Sequence, residues 1–270
     1  MYLRGSGQVL GASAEYRAIA AWAKSVRGLR LGVIDVPYPA TGIDWRVGIK
    51  AFISSGRHYE YAKSVRDGIN RSVQYYQDII RACPSSKIAV LGYSQGAQVA
   101  GRAMLSLSDT HNLLYLALFG DPELYLPEGI KSRACTYGQK SLYRVDVPNC
   151  RVNAGVLGAR IPYLNADLDK KSGLWCNESD FICGSSLNPT KNEGHFSYVS
   201  AGKLNRALAI IQGKMLEIKG LAKVKATTPQ QDGAMVSSRN DPSYATTSNQ
   251  ELKWGFWGGF WQYLWHWLVH

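Results

Sequence analysis

The chain has 270 residues, with 31 basic and 20 acidic side chains, a formal net charge of +11, and 46% apolar or aromatic residues. That apolar fraction excludes a wholly disordered chain, and the length fits one large core plus an appendage better than a small stapled scaffold. No uninterrupted apolar run of ~18 residues, the length a membrane-spanning helix needs, is present, which argues against a polytopic membrane protein.

In chain order, residues 31–37 (LGVIDVP) form a short β-rich run that stops at a proline. From Tyr61 to Ile80 the apolar residues Tyr61, Val65, Ile69, Val73, Tyr76 and Ile80 recur every three or four positions, predicting one face of a helix ended by Pro84. Residues 87–91 (KIAVL) predict a buried strand, residues 95 to about 107 a helix, and residues 113–119 (LLYLALF) a second buried strand closed by Gly120-Asp121-Pro122. Residues 123–175 read as irregular. The basic residues are scattered except for Lys203, Arg206, Lys214, Lys219, Lys223 and Lys225, which sit at helical spacing beside Leu204, Leu208, Ile211, Met215 and Ile218. This is the solvated face of an amphipathic helix over about 201–224, and nucleic acid is not an expected partner. The alternation of strand and helix predicts an α/β layered domain with a mainly parallel sheet. It occupies residues 1–222, followed by a polar linker at 223–253 and an aromatic tail at 254–270 that holds five of the eight tryptophans.

Gly92-Tyr93-Ser94-Gln95-Gly96 matches G-x-S-x-G. In that motif a serine sits on a tight turn from strand to helix, with glycines letting the two elements pass closely. The context agrees, because a buried β run ends at Gly92 and a helix-compatible run begins at Gln95. Such a turn lifts the serine oxygen clear of the sheet and aims the Gln95 N–H at a developing oxyanion. A serine nucleophile needs a base, and the base needs an orienting acid, in the chain order serine, acid, histidine for this kind of layered fold. His58 precedes the serine, His111 follows it too soon, and His266 and His270 lie in the tail, which leaves His195. Asp167, Asp169, Glu178 and Asp180 are the candidate acids. Asp180 is singled out by its place between Cys176 and Cys183, where a bond across seven positions would pin the loop that carries it.

These strings resemble those of the cutinase-like serine esterases. The resemblance rests on Arg4-Gly5-Ser6, Tyr38-Pro39-Ala40, Cys83-Pro84, Gly92 through Ala97, Phe119-Gly120, Gly158 through Pro162, Cys176 with Asp180 and Cys183, and finally His195. It implies a lid-free α/β-hydrolase, a three-layer α/β/α sandwich around a central mainly parallel sheet. It also implies Ser94, Asp180 and His195 as nucleophile, acid and base, with Ser6 and the Gln95 N–H as the oxyanion hole. Family members cleave esters of polyesters, acylated polysaccharides or lipids. The segment holding Cys135 and Cys150, the stretch before His195, and the tail depart from the family pattern.

A Cys176–Cys183 disulfide is expected, with Cys135 and Cys150 as a second pair, and both point to an oxidising compartment. Cys83 is then left over. The expectation is that Met1 is not the natural start and that a signal peptide and a first cysteine are absent upstream. The expected function is a secreted or envelope-associated carboxylic-ester hydrolase, monomeric and needing no metal or organic cofactor. The rivals are a polysaccharide-deacetylating esterase and a non-catalytic surface-binding protein. The tail could attach the chain to a membrane or cell envelope, stack on sugars or dock on the catalytic domain.

Overall fold

Strands β2 (Ile88–Tyr93) and β3 (Leu113–Phe119) are apolar almost throughout, as strands covered on both faces must be. They form the centre of a five-stranded parallel sheet in the computed structural model, which describes residues 1–43, 57–125, 145–146, 155–184, 188 and 192–220. The predicted linker and tail, and the Cys135 and Cys150 pair, lie outside the described residues. The sheet order is β1-β2-β3-β5-β4, with β1 at Tyr2–Leu3, β4 at Val145–Asp146 and β5 at Ser172–Trp175.

Two helix layers close the sandwich. On one face, helices α2 (Arg57–Ala82) and α3 (Gln95–Ser106) bury Val65, Tyr76, Val99 and Met104 against Val90, Leu116 and Leu118 of the sheet. On the other, α1 (Ala14–Ser25) and α5 (Lys203–Ile218) bury Ile19, Leu204, Leu208 and Ile211 against Leu91, Tyr115 and Ala117. The predicted three-layer α/β/α arrangement is therefore present. The apolar residues of α5 fall at i, i+4 and i+7, as the sequence period requires.

Three local expectations change. Residues 31–37 pair with the sheet only through a parallel bridge from Asp35 to Tyr2, because β1 offers two residues and Pro37 ends the run. Helix α1 escaped the periodicity reading because little of it is apolar and buried. Its start is nevertheless marked by Ser13, whose hydroxyl accepts from the Tyr16 N–H. The stretch predicted as irregular contains β4, the short helix α4 (Ala166–Lys170) and β5. The β5 sequence, Ser-Gly-Leu-Trp, is too short to read alone; it becomes a strand by pairing in register from Leu116↔Ser172 to Phe119↔Trp175.

Candidate active site

Ser94 stands at the C-terminal end of β2 and caps α3, with φ 54° and ψ −122°. A non-glycine residue reaches that conformation only where the surroundings hold it. Here the Ser94 N–H donates to the Phe119 carbonyl at 2.8 Å, and the Ser94 carbonyl accepts from Ala97 and Gln98 in the first turn of α3. The close approach demands glycine on both sides. A Cβ on Gly92 would lie 2.3 Å from the Gly96 oxygen, and one on Gly96 would lie 2.0 Å from the Leu3 oxygen.

Of the histidines weighed from sequence, His195 meets the serine. Its Nε2 lies 2.9 Å from Ser94 Oγ, and its Nδ1 lies 3.0 Å from both oxygens of Asp180. An ionised carboxylate only accepts, so Nδ1 carries the proton and Nε2 is left to accept from the serine hydroxyl. Ser94 is 5% exposed, His195 4% and Asp180 not at all. Of the four candidate acids only Asp180 reaches the imidazole; Asp167 and Asp169 sit on α4.

The loop carrying Asp180 is closed by the Cys176–Cys183 disulfide, whose Cα atoms are 5.8 Å apart. Within it, Asp180 Oδ1 accepts from the N–H groups of Ile182 at 2.8 Å and Cys183 at 3.3 Å. Replacing both cysteines with serine is expected to lower stability by about 2.5 kcal/mol through the opened eight-residue loop. Urea unfolding of the double variant checks this; an unchanged midpoint would show that the hydrogen bonds alone hold the loop.

Residues that sequence reasoning missed complete the shell. Gly120, with φ 57°, lies directly beneath the pair: a Cβ there would stand 2.8 Å from His195 Nδ1 and 3.0 Å from Asp180 Oδ2. The Tyr198 hydroxyl donates to Asp180 Oδ2 at 2.6 Å, and the Tyr93 hydroxyl donates to the His195 carbonyl at 2.8 Å. Burial, then the Asp180 charge, pushes the Tyr198 hydroxyl well up; burial does the same to Tyr93. Both stay protonated donors. The only sequence signal for Tyr198 is its place three residues after His195.

Of the two predicted oxyanion contributors, Gln95 follows the serine directly and Ser6 is one residue beyond Gly5, which packs against it. Gln95 opens α3, where the first N–H groups of a helix have no intrahelical acceptor. Ser6 follows Gly5, which packs so close that a Cβ on it would lie 3.2 Å from the Ser94 Cβ. The buried Arg4 guanidinium holds this segment: Nε donates to the Gln8 carbonyl and Nη1 to the Val36 carbonyl, each at 3.0 Å, and Nη2 donates to the Tyr38 carbonyl. Gly7 N–H adds a bond to the Ala40 carbonyl at 2.7 Å. Cys83, left over in the sequence reading, is a free and exposed thiol just past α2.

A parallel sheet with helices on both faces, and a Ser–His–carboxylate arrangement at the ends of its strands, defines an α/β-hydrolase. The chain belongs to the cutinase family, whose model matches residues 1–215. A cutinase of Hypocrea jecorina is 34% identical over 94 residues, covering 34% of this chain and 32% of that protein. A probable carboxylesterase, Culp3, of Mycobacterium tuberculosis is 25% identical over 168 residues, covering 57% of each. The chain thus matches about a third of the length of the first of these curated relatives and just over half of the second. Among solved structures, an acetylxylan esterase superposes with a TM-score of 0.54 at 18% identity, covering 80% of this chain and 98% of that one. A cutinase-like protein from Cryptococcus sp. gives 0.53 at 18% identity, covering 79% and 92%. Both likenesses concern the fold.

Proposed function

We propose that the chain is a serine carboxylic-ester hydrolase in which Ser94, His195 and Asp180 act as nucleophile, base and orienting acid. The observation that carries this reading is the continuous relay from Ser94 Oγ through His195 Nε2 at 2.9 Å to Asp180 at 3.0 Å. Ser94 Oγ attacks the ester carbonyl carbon while its proton passes to His195 Nε2. The negative charge on the former carbonyl oxygen rests on the Gln95 N–H and the Ser6 side. Collapse expels the alcohol, which leaves with the proton from His195, and an acyl-Ser94 remains. Water then attacks the acyl carbon with His195 again as base, releasing the carboxylic acid and restoring Ser94.

The surroundings favour esters with apolar acyl groups, such as polyesters or lipid esters. Phe196 stands edge-on to the His195 ring at 5.5 Å and is 76% exposed, and Val9 and Leu10 are exposed on the segment that follows Ser6. Hydrolysis of p-nitrophenyl esters of graded chain length tests both levels of the reading. Butyrate is expected to exceed acetate in kcat/KM by about 5- to 15-fold, since each of its two extra methylenes adds up to roughly 0.8 kcal/mol when buried. A tenfold preference for acetate would point instead to a deacetylating esterase, and no hydrolysis at all to a binding protein. The disulfide beside the acid fits an extracellular or envelope setting. In this proposal the segment 254–270 attaches the enzyme, through the polar stretch 223–253, to a lipid or wall surface.

A further inference from the structure

We infer that Tyr198 is a positioning residue for the Asp180–His195 pair, its hydroxyl fixing the orientation of the carboxylate and weakening the hold of that carboxylate on a protonated imidazole. The inference rests on the proposed roles of the pair and adds a member to it.

The two oxygens of Asp180 are supported differently. Both lie 3.0 Å from His195 Nδ1, but Oδ1 also accepts two backbone N–H groups from its own loop, whereas Oδ2 also accepts from Tyr198 at 2.6 Å. Tyr198 has one hydroxyl proton, and its direction is set from the other side: the Asn177 N–H donates to the Tyr198 oxygen at 3.1 Å. With that lone pair occupied, the proton goes to Asp180 Oδ2 at 2.6 Å rather than to the bonded sulfur of Cys183, a weak acceptor at 3.6 Å. The ring cannot swing away, because it packs edge-on against Tyr93 at 5.9 Å and Phe119 at 5.6 Å and is 1% exposed. The Asn177 side chain adds a bond to the Gly194 carbonyl at 2.9 Å, tying the acid loop to the segment that bears His195.

A hydrogen bond to a carboxylate spreads its negative charge, so a neighbouring imidazolium is stabilised less than it would be by the bare carboxylate. Among the described residues, Tyr93 is a further ionisable group beside the pair. Tyr93 bonds the His195 backbone rather than its ring, with Glu15 of α1 reaching Tyr93 by charge alone.

Tyr198→Phe is expected to raise the midpoint of the His195 ring titration, followed by NMR, by about 0.5 to 1 pH unit. The acidic limb of kcat/KM should move up by the same amount, with kcat reduced about 3- to 10-fold and KM within twofold. Tyr93→Phe removes an equally buried hydroxyl from the backbone carbonyl and should leave the midpoint where it is. Replacing Tyr198 with 3-fluorotyrosine, which keeps the ring and strengthens the donor, should move the midpoint down. A Tyr198→Phe protein that titrates with the wild type, or below it, overturns the inference whatever its thermal stability. If Tyr198→Phe does not fold, the fluorotyrosine protein decides alone, and an unmoved or raised midpoint there overturns it. Wild-type protein that hydrolyses no p-nitrophenyl ester would overturn the esterase reading instead, and the ring titration would still decide the role of Tyr198.

Discussion

Ser94→Ala is expected to lower kcat/KM on p-nitrophenyl butyrate by about 10⁴-fold or more while moving the thermal midpoint by less than about 2 °C. The two halves of that expectation come from different features of the turn. The loss of rate follows from removing the oxygen that His195 Nε2 faces at 2.9 Å, since the oxyanion donors can polarise a carbonyl but cannot attack it. The preserved stability follows because backbone interactions hold the turn. The Ser94 N–H bonds Phe119, its carbonyl bonds α3, and the glycine contacts of Gly92 and Gly96 are unaffected by the side chain. His195→Ala should cost a similar factor, and the double variant little more than either single one, because residues that act as a unit are not additive. Retention of a tenth of wild-type activity by Ser94→Ala would remove the nucleophile from the mechanism.

The largest expected stability effect lies under helix α3. Arg160 and Asp121 form an ion pair with side chains 2% and 0% exposed, and the guanidinium lies flat against Gly101, where a Cβ would meet Cζ at 2.4 Å. Beside them Arg102 grips Glu123 in a fork, with Nη2 to Oε1 at 2.7 Å and Nε to Oε2 at 2.8 Å. Gln98 donates to Glu123 at 2.9 Å and accepts from the Tyr61 hydroxyl at 2.8 Å. Taking one partner from such a pair leaves a buried charge uncompensated, at a cost of about 3–5 kcal/mol. Arg160→Met is therefore expected to lower the free energy of unfolding in urea by that amount. Arg81→Ala, which breaks the exposed pair with Asp78, should change it by about 0.5 kcal/mol or less. Adding Asp121→Leu to Arg160→Met should recover much of the loss, since the unpaired charge is then gone. Activity should fall with Arg160→Met as well, because Asp121 follows Gly120, the residue on which the Asp180–His195 pair rests. A single-variant loss below about 1 kcal/mol would show that Asp121 finds another partner or water.

Much of this is legible in the amino-acid sequence. The buried runs of β2 and β3, the helical period of α2 and α5, and the G-x-S-x-G corner are local patterns, written in the spacing of neighbouring residues. The candidate acid and base were also reachable, because the required order along the chain left one histidine and the flanking cysteines marked one aspartate. Other features left no such trace. Strand β5 has a Ser-Gly start, and helix α1 has only a narrow apolar face; each takes its form from a partner far away in the chain.

From length, composition and charge the chain is a basic protein with a large core, and from its motifs it is a candidate serine esterase. Which residue types stand at the strand ends, and in what order, is written locally along the chain, because turn chemistry and periodicity act over a few residues. That Tyr198 donates to Asp180, that Gly120 must lack a side chain beneath His195, and that Arg160 pairs with Asp121 across 39 positions follows from the packed chain alone. These are contacts between groups brought together by packing, and a hydrogen bond depends on tenths of an ångström that spacing along a chain does not encode.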